Sequence, residues 1–413
     1  MFVIRKSHWW VALLGCVWLL LGGVAVYRQL TDGSADFHEF WRISRHLLYG
    51  EEAGRFKVPY SYPPLFHLLI ACFSWMPLGV ASACWYVFCS ACAIFSVRML
   101  AALCDLRGRF LVLAVLVSTG LMVNDLLMGN ANLVILLCIV SGLYLFCRGR
   151  EFGAGSALAA GAALKLIPAL LVIYFLWKAR VRVVVGAAIC FVVCVAVLPP
   201  LLVGPASGTK LTRNWIGQML PMLGLGTPEN ALWYEKEDIY RGTNQSLLAV
   251  THRFLRPVKA VRGGGEDGTV NVAVLEKPTV TWIYRGLVLV TLVGAAYMLR
   301  AKVRPGDPAT ALQLEYALVV VLMLLLGKVT WVNYLVHLAV PYFVLMKCVA
   351  EAPLGCRRRQ VTATLLGVAA VCAVVGSSAV MQAYALPFAG VLAVGGGLVY
   401  NLLAEQTEAA GRT

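Results

Sequence analysis

The sequence predicts an all-α polytopic membrane protein with about twelve transmembrane helices. Three observations carry this. The 413 residues are 60% hydrophobic and 13% charged, with a mean hydropathy of +0.79, whereas a soluble chain carries about 25% charge. Apolar runs near the ~20 residues that cross a ~30 Å hydrocarbon core recur along the whole length. Lysines and arginines fall in short clusters between those runs, the pattern of loops held on the cytoplasmic side. The net charge of +15 is therefore not spread along one basic face, which excludes nucleic acid as a partner and points to topology and anionic-lipid contact. The thirteen cysteines lie almost entirely in apolar runs, with none between Pro205 and Pro278, so they read as small core residues. Cys89 to Cys92 has redox spacing but lacks the preceding strand and turn.

In chain order, Trp9 to Tyr27 behind Arg5 and Lys6 reads as a retained anchor with the N-terminus inside. Leu65 to Met76 follows Pro63 and Pro64 and reads as an interfacial helix. If it spanned, every later basic loop would be inverted. Spans follow at about Ala81 to Leu103, Phe110 to Leu127 and Ala131 to Cys147. Phe152 to Leu164 and Ile167 to Trp177 are too short to cross alone, so they read as two half-length helices meeting at Lys165 and Pro168. Val183 to Leu202 crosses outward, and the remaining spans run from about Val280 to Met298, Ala309 to Leu326, Val332 to Val349, Val361 to Val380 and Pro387 to Leu402. The chain thus reads as one integral-membrane domain over residues 1–413, with a first outer loop at 29–80 and a long outer loop at 204–279.

The loop from Gln29 to Pro64 gathers Asp32, Asp36, His38, Glu39, Arg42, Arg45, His46, Tyr60 and Tyr62 in a chain otherwise poor in charge. Ionisable groups at a membrane are costly unless they function or pair. Asp36 opens the amphipathic stretch DFHEFWRISRHLLYG, where it suits both a helix N-cap and a proton acceptor. Asp36, His38 and Glu39 do not share one helical face, so no metal site is expected. Lys165 is a lone cation among apolar residues, suited either to snorkelling or to a phosphate at the membrane surface. Asn124, Asp125, Gly129, Asn130 and Asn132 form a polar turn, Thr243 to Ser246 precedes Arg253, and Lys328 to Tyr334 with His337 opens a late span. The Asn244-Gln-Ser246 sequon is a weak glycosylation signal. All five groups fall on one expected face, which favours an active site at the outer surface. A transporter or lipid flippase is the competing class, but it expects ionisable groups near the midplane and often duplicated halves.

The order of Asp36-Phe37, Tyr62-Pro-Pro-Leu65, Gly129-Asn-Ala-Asn132, Ala162-Ala-Leu-Lys165-Leu-Ile-Pro168, Asn244-Gln-Ser246 with Arg253, and Trp331-Val-Asn-Tyr334 resembles glycosyltransferase family 87. Members of that family often show Gly-Gln-x-Asn at the second polar turn and a histidine where this chain has Asn333, with His337 one turn later. The resemblance implies a GT-C fold and a polyprenyl-phosphate-linked sugar, mannose, as donor. It also implies Asp36 as general base, Lys165 in the donor-phosphate pocket, and substrate contacts from Tyr62, Asn130, Asn244, Gln245, Arg253, Asn333 and His337. On that reading the chain is a multi-pass protein of the plasma (inner) membrane. It moves a hexose to a lipid or glycan acceptor at the outer face by a single inverting displacement, without a metal or other cofactor.

Overall fold

The computed structural model describes residues 9–33, 35–49, 62–222, 237–261, 268–300 and 309–410. Arg5, Lys6, Tyr60, Trp233, Tyr234, Gly263 to Gly265, Lys302 and Arg304 lie outside the described residues. Among the described residues the chain is helical, with no strand.

Helix α1 (Trp9–Thr31) is apolar until its last turn, which carries Arg28 and Gln29, and presents most of its surface outward. Helix α2 (Asp36–Tyr49) is amphipathic and buries Phe37, Phe40, Ile43 and Ser44 with Trp41 half-buried beside them, the one-sided stripe of a surface helix. Helix α3 (Pro64–Ser74) starts on Pro63 and Pro64, whose fixed φ suits a first turn. Its 11 residues rise only about 16 Å, half the hydrocarbon thickness. α2 lies along it: Trp41 Nε1 donates to Met76 O at 3.2 Å and Arg45 to Ser74 O at 3.3 Å. The C-terminal end of α3 is thus fastened to α2.

Helices α4 (Leu78–Cys104) and α5 (Gly108–Met128) form an antiparallel hairpin, and α5 stops on Gly129 at φ +70°, a left-handed cap that glycine adopts without strain. Helix α6 (Asn132–Cys147) returns to α7 (Glu151–Leu164) and α8 (Ala169–Trp177). At 14 and 9 residues the last two reach about 21 Å and 13 Å, so neither crosses alone. Pro168 lacks the N–H that would continue α7, and Lys165 is already extended. The ends of the pair far from Lys165 are joined by Arg180 and Glu151 at 3.5 Å.

Helix α9 (Val181–Val192) widens into a π turn at Val193–Val197 and continues as α10 (Leu198–Val203). Pro199 and Pro200 cannot donate to the preceding carbonyls. The stretch expected to be a long loop opens instead with helix α11 (Pro205–Met222), which folds back so that Thr212 Oγ1 donates to Val195 O at 2.7 Å. Leu211 and Trp215 are its buried contacts. Helix α12 (Leu247–Leu255) is capped by Ser246, whose Oγ accepts from Ala249 N at 3.2 Å. Helices α13 (Lys277–Met298) and α14 (Ala309–Leu326) follow. A 3₁₀ segment, Val332–Leu338, runs into α15 (Ala339–Glu351), and the chain closes with α16 (Arg357–Val375), α17 (Ala379–Ala383) and α18 (Leu386–Ala410). The core sits on α14 and α15. Val332–Glu351 is 89% buried, whereas α13 is 6% buried.

Eight of these helical stretches are long and apolar enough to cross a membrane by length and composition. The twelve expected from sequence comprise those eight together with α6, α14, α7 and α8. Charge pairs collect at one end of the bundle, where Lys178 Nζ meets Glu315 at 2.7 Å and Arg358 meets Glu405 at 2.7 Å. The turn at Gly129, the Lys165 break and the start of the 3₁₀ segment meet at the opposite end, through the hydrogen bonds described next.

Candidate active site

Asp36 opens α2, and Gln29 at the end of α1 holds that opening in place. Gln29 Oε1 accepts from the His38 N–H at 3.0 Å, a first-turn donor with no partner inside its own helix, while Nε2 donates to Met128 O at 3.2 Å. Gly129 makes the approach possible, because a Cβ there would sit 2.8 Å from both Gln29 Nε2 and the Phe37 Cβ. Phe37 stacks on Trp85 at 5.3 Å, and Trp85 Nε1 donates to Gly129 O at 3.0 Å. Held this way, Asp36 Oδ2 accepts from Asn130 Nδ2 at 2.9 Å and from Asn333 Nδ2 at 3.3 Å. The Asn130 amide has its orientation set by its Oδ1, which accepts from Ala131 N at 2.8 Å. Both hydrogen bonds to the carboxylate fall on Oδ2, so Oδ1 is the oxygen left to accept a proton. Burial raises the Asp36 carboxyl above its ordinary 3.8, opposed first by the Asn130 hydrogen bond and then by Lys165.

Lys165 is 9% exposed and lies outside all eight candidate spans. Its Nζ donates to Asn132 Oδ1 at 3.1 Å and sits 3.6 Å from the Tyr334 ring centroid and 5.3 Å from that of Tyr62, a cation held between aromatic faces. Asn132 in turn donates to Asp125 Oδ1 at 2.8 Å, and Asp125 Oδ2 accepts from Leu133 N at 3.2 Å. Burial pulls the Lys165 ammonium down to about 7, against the pull of Asp125 and Asp36. Tyr62 stacks on Phe66 at 4.2 Å and meets Phe40 edge-on at 5.3 Å. Asn333, Tyr334 and His337 all come from the 3₁₀ segment. His337 Nδ1 bonds the Tyr334 carbonyl at 2.7 Å, which assigns the proton to Nδ1 and leaves Nε2 as an acceptor. That Nε2 and Asn333 Oδ1 are buried without a partner among the described residues. No group of three His, Cys, Asp or Glu side chains gathers among them either.

A family model described as Glycosyltransferase family 87 matches residues 60–327. The chain belongs to glycosyltransferase family 87. Membership makes it a multi-pass membrane glycosyltransferase, acting on a sugar donor and an acceptor. No curated protein and no solved structure matches the chain. The matched region holds Tyr62, Asn130, Lys165, Asn244, Gln245 and Arg253. Asp36, Asn333 and His337 lie outside it.

In this family 87 chain the site residues read from sequence divide into two groups. Asp36, Asn130, Lys165, Asn333, Tyr62 and His337 are brought together around the carboxylate and the ammonium. Asn244, Gln245 and Arg253 instead spend most of their polar atoms on backbone, although Arg253 Nε is buried without a partner among the described residues. Asn244 Nδ2 donates to Ile239 O at 2.8 Å, and its Oδ1 accepts from Thr330 N at 2.9 Å. Gln245 Nε2 bonds the carbonyls of Gly242 and Gln382. Arg253, fully buried, reaches the carbonyls of Arg241 at 2.7 Å and Asn244 at 2.6 Å. Through the Val332 N to Thr243 O bond at 3.0 Å and the Asn244 to Trp331 bridge, these three hold the segment that carries Asn333. Gln29 was missed in the sequence because it is an uncharged side chain at the end of an apolar helix, directly after Arg28. Its one signal is being the only amide in that helix.

Proposed function

We propose that this glycosyltransferase moves a hexose, mannose, from a polyprenyl-phosphate donor to a lipid or glycan acceptor at the outer face of the plasma (inner) membrane. One observation carries the reading. A carboxylate with an open oxygen and a buried ammonium are held by Asn130 and Asn132, two residues apart on one turn. An acceptor hydroxyl is a weak nucleophile near neutral pH, so Asp36 Oδ1 takes its proton as the oxygen attacks the anomeric carbon. The bond from that carbon to the phosphate oxygen breaks in the same displacement, which inverts the centre. The departing lipid phosphate takes the electron pair of the broken bond, and the added negative charge is met by Lys165 rather than by a metal. His337 and Asn333 complete the donor side, with Tyr62 beside the cation. A transporter reading has less support, because the ionisable groups near Asp36 gather at one end of the bundle.

The test is transfer in proteoliposomes. Purified protein is given polyprenyl-phosphate mannose or glucose, each labelled, with membrane lipids as acceptors, and the anomeric configuration of the product is determined. An inverted mannosyl product is expected. Movement of the labelled lipid across the bilayer without transfer, or product with retained configuration, defeats the proposal.

A further inference from the structure

Asp125 is fully buried at the end of α5, and nothing in the proposed reaction uses it. Its two oxygens both accept from N–H donors: Oδ1 from Asn132 Nδ2 at 2.8 Å and Oδ2 from Leu133 N at 3.2 Å. A protonated carboxyl would need an acceptor of its own, so this geometry belongs to the ionised form. Capping the first turn of α6 needs only one oxygen, and asparagine caps as well as aspartate. A buried charge is a costly way to do that work alone. The second oxygen leads elsewhere, because the amide it fixes turns Asn132 Oδ1 toward Lys165 Nζ at 3.1 Å.

We propose that Asp125 is the positioning residue for Lys165: acting through Asn132, its carboxylate keeps the ammonium charged and aimed at the donor phosphate. The proposal rests on the reading of Lys165 as the phosphate cation. The other groups facing Lys165 are Asp36 from α2, Tyr62 ahead of α3, and Tyr334 and His337 from the 3₁₀ segment. Asp36 already accepts two amide N–H groups and Nδ1 of His337 is engaged by a backbone carbonyl. Asp125 is therefore the carboxylate whose hydrogen bonds lead to the ammonium. In Asp125→Asn an NH₂ would face the Asn132 NH₂. Asn132 then turns over and presents its own donor to the ammonium.

Two measurements test this. Cyanate carbamylates only the neutral amine, so the pH profile of Lys165 carbamylation, read by mass spectrometry, reports its protonation without any donor present. In Asp125→Asn the midpoint falls by about one pH unit. Binding of a short-chain polyprenyl-phosphate mannose, measured above that midpoint, weakens roughly tenfold. Simple loss of an anion near a phosphate predicts the opposite, tighter binding. Asn132→Ala keeps the helix cap and cuts the link, so its midpoint also falls; it serves if Asp125→Asn fails to fold. An unmoved midpoint in the folded variant, or tighter donor binding, overturns the proposal. If the wild-type protein binds no donor while the midpoint still moves, the donor reading fails and the assignment of Asp125 stands.

Discussion

Replacing Asp36 by asparagine removes the proposed base while leaving its surroundings almost intact. Oδ2 accepts from Asn130 at 2.9 Å and from Asn333 at 3.3 Å, and an asparagine that turns its carbonyl oxygen toward them keeps both bonds. Its NH₂ then stands where Oδ1 stood and cannot take a proton. Loss of a general base costs about 10²- to 10⁴-fold in rate. Stability moves the other way. Burial raises the Asp36 carboxyl in the folded protein, so its charged form weakens the fold as pH rises past the unfolded value. Removing that charge leaves the melting temperature at neutral pH equal to or above that of the wild type. Asp36→Ala differs, because it strands two amide donors at a cost of about 1–3 kcal/mol each, and both transfer and melting temperature fall. The assay is transfer of labelled sugar in proteoliposomes, beside thermal unfolding of the same preparations. Asp36→Asn retaining transfer within tenfold of wild type would refute the reasoning and leave Glu39 and Asp32 as candidates.

Lys165→Met places an apolar chain between Tyr62 and Tyr334 and loses a charged hydrogen bond worth about 1.5–3 kcal/mol. Donor affinity measured by equilibrium binding should fall roughly ten- to hundredfold, and unchanged affinity would make Lys165 only a membrane anchor. Asn130→Ala removes the hydrogen bond that most opposes the upward shift of Asp36. A base works above its pKa and fails as pH drops through it, so the acid limb of the transfer rate should move to higher pH, and a limb that stays put argues against Asp36. For topology, a cysteine at Gly33, beside the start of α2, should react with an impermeant thiol reagent in intact cells in a cysteine-free background. One at Gly108 should not, and the reverse pattern would place the site inside.

Much of this arrangement can be read from local pattern. The alternation in DFHEFWRI marks α2, the paired prolines start α3, and Lys165 with Pro168 marks the break between two helices too short to cross. Each of these signals lies within one turn or one run of residues. Other features depend on what a residue meets across the fold. Helix α11 escaped notice because Thr209, Lys210, Thr212, Arg213 and Asn214 dilute its apolar positions, and only the fold-back onto the π turn gives Trp215 something to bury against, among Phe191, Cys194, Val195 and Ala163. Asn244 and Arg253 look like ligand groups in sequence, and only the packed chain reveals the carbonyls they satisfy. Asp125 reads as an ordinary turn residue until Asn132 and Lys165 are seen in line with it.

Helix α13 is a candidate membrane span that buries only 6% of its length against the rest of the protein, yet it is tied down at both ends. Its 22 residues rise about 33 Å. Just past one end, Leu299 O accepts from Trp177 Nε1 at 3.2 Å and Lys178 Nζ at 2.9 Å, which ties it to the helix that begins beside Lys165. Just before the other end, Val272 N and Leu275 N bond the carbonyls of Phe254 and Leu255 at 2.8 and 2.9 Å, and α12 leads through Arg253 to the segment bearing Asn333. A membrane thinner or thicker than this strut must tilt or strain it. The helix is thus a spacer rod between the mount of Lys165 and the mount of the segment bearing Asn333, and a tilt imposed on it by acyl-chain length would reach both.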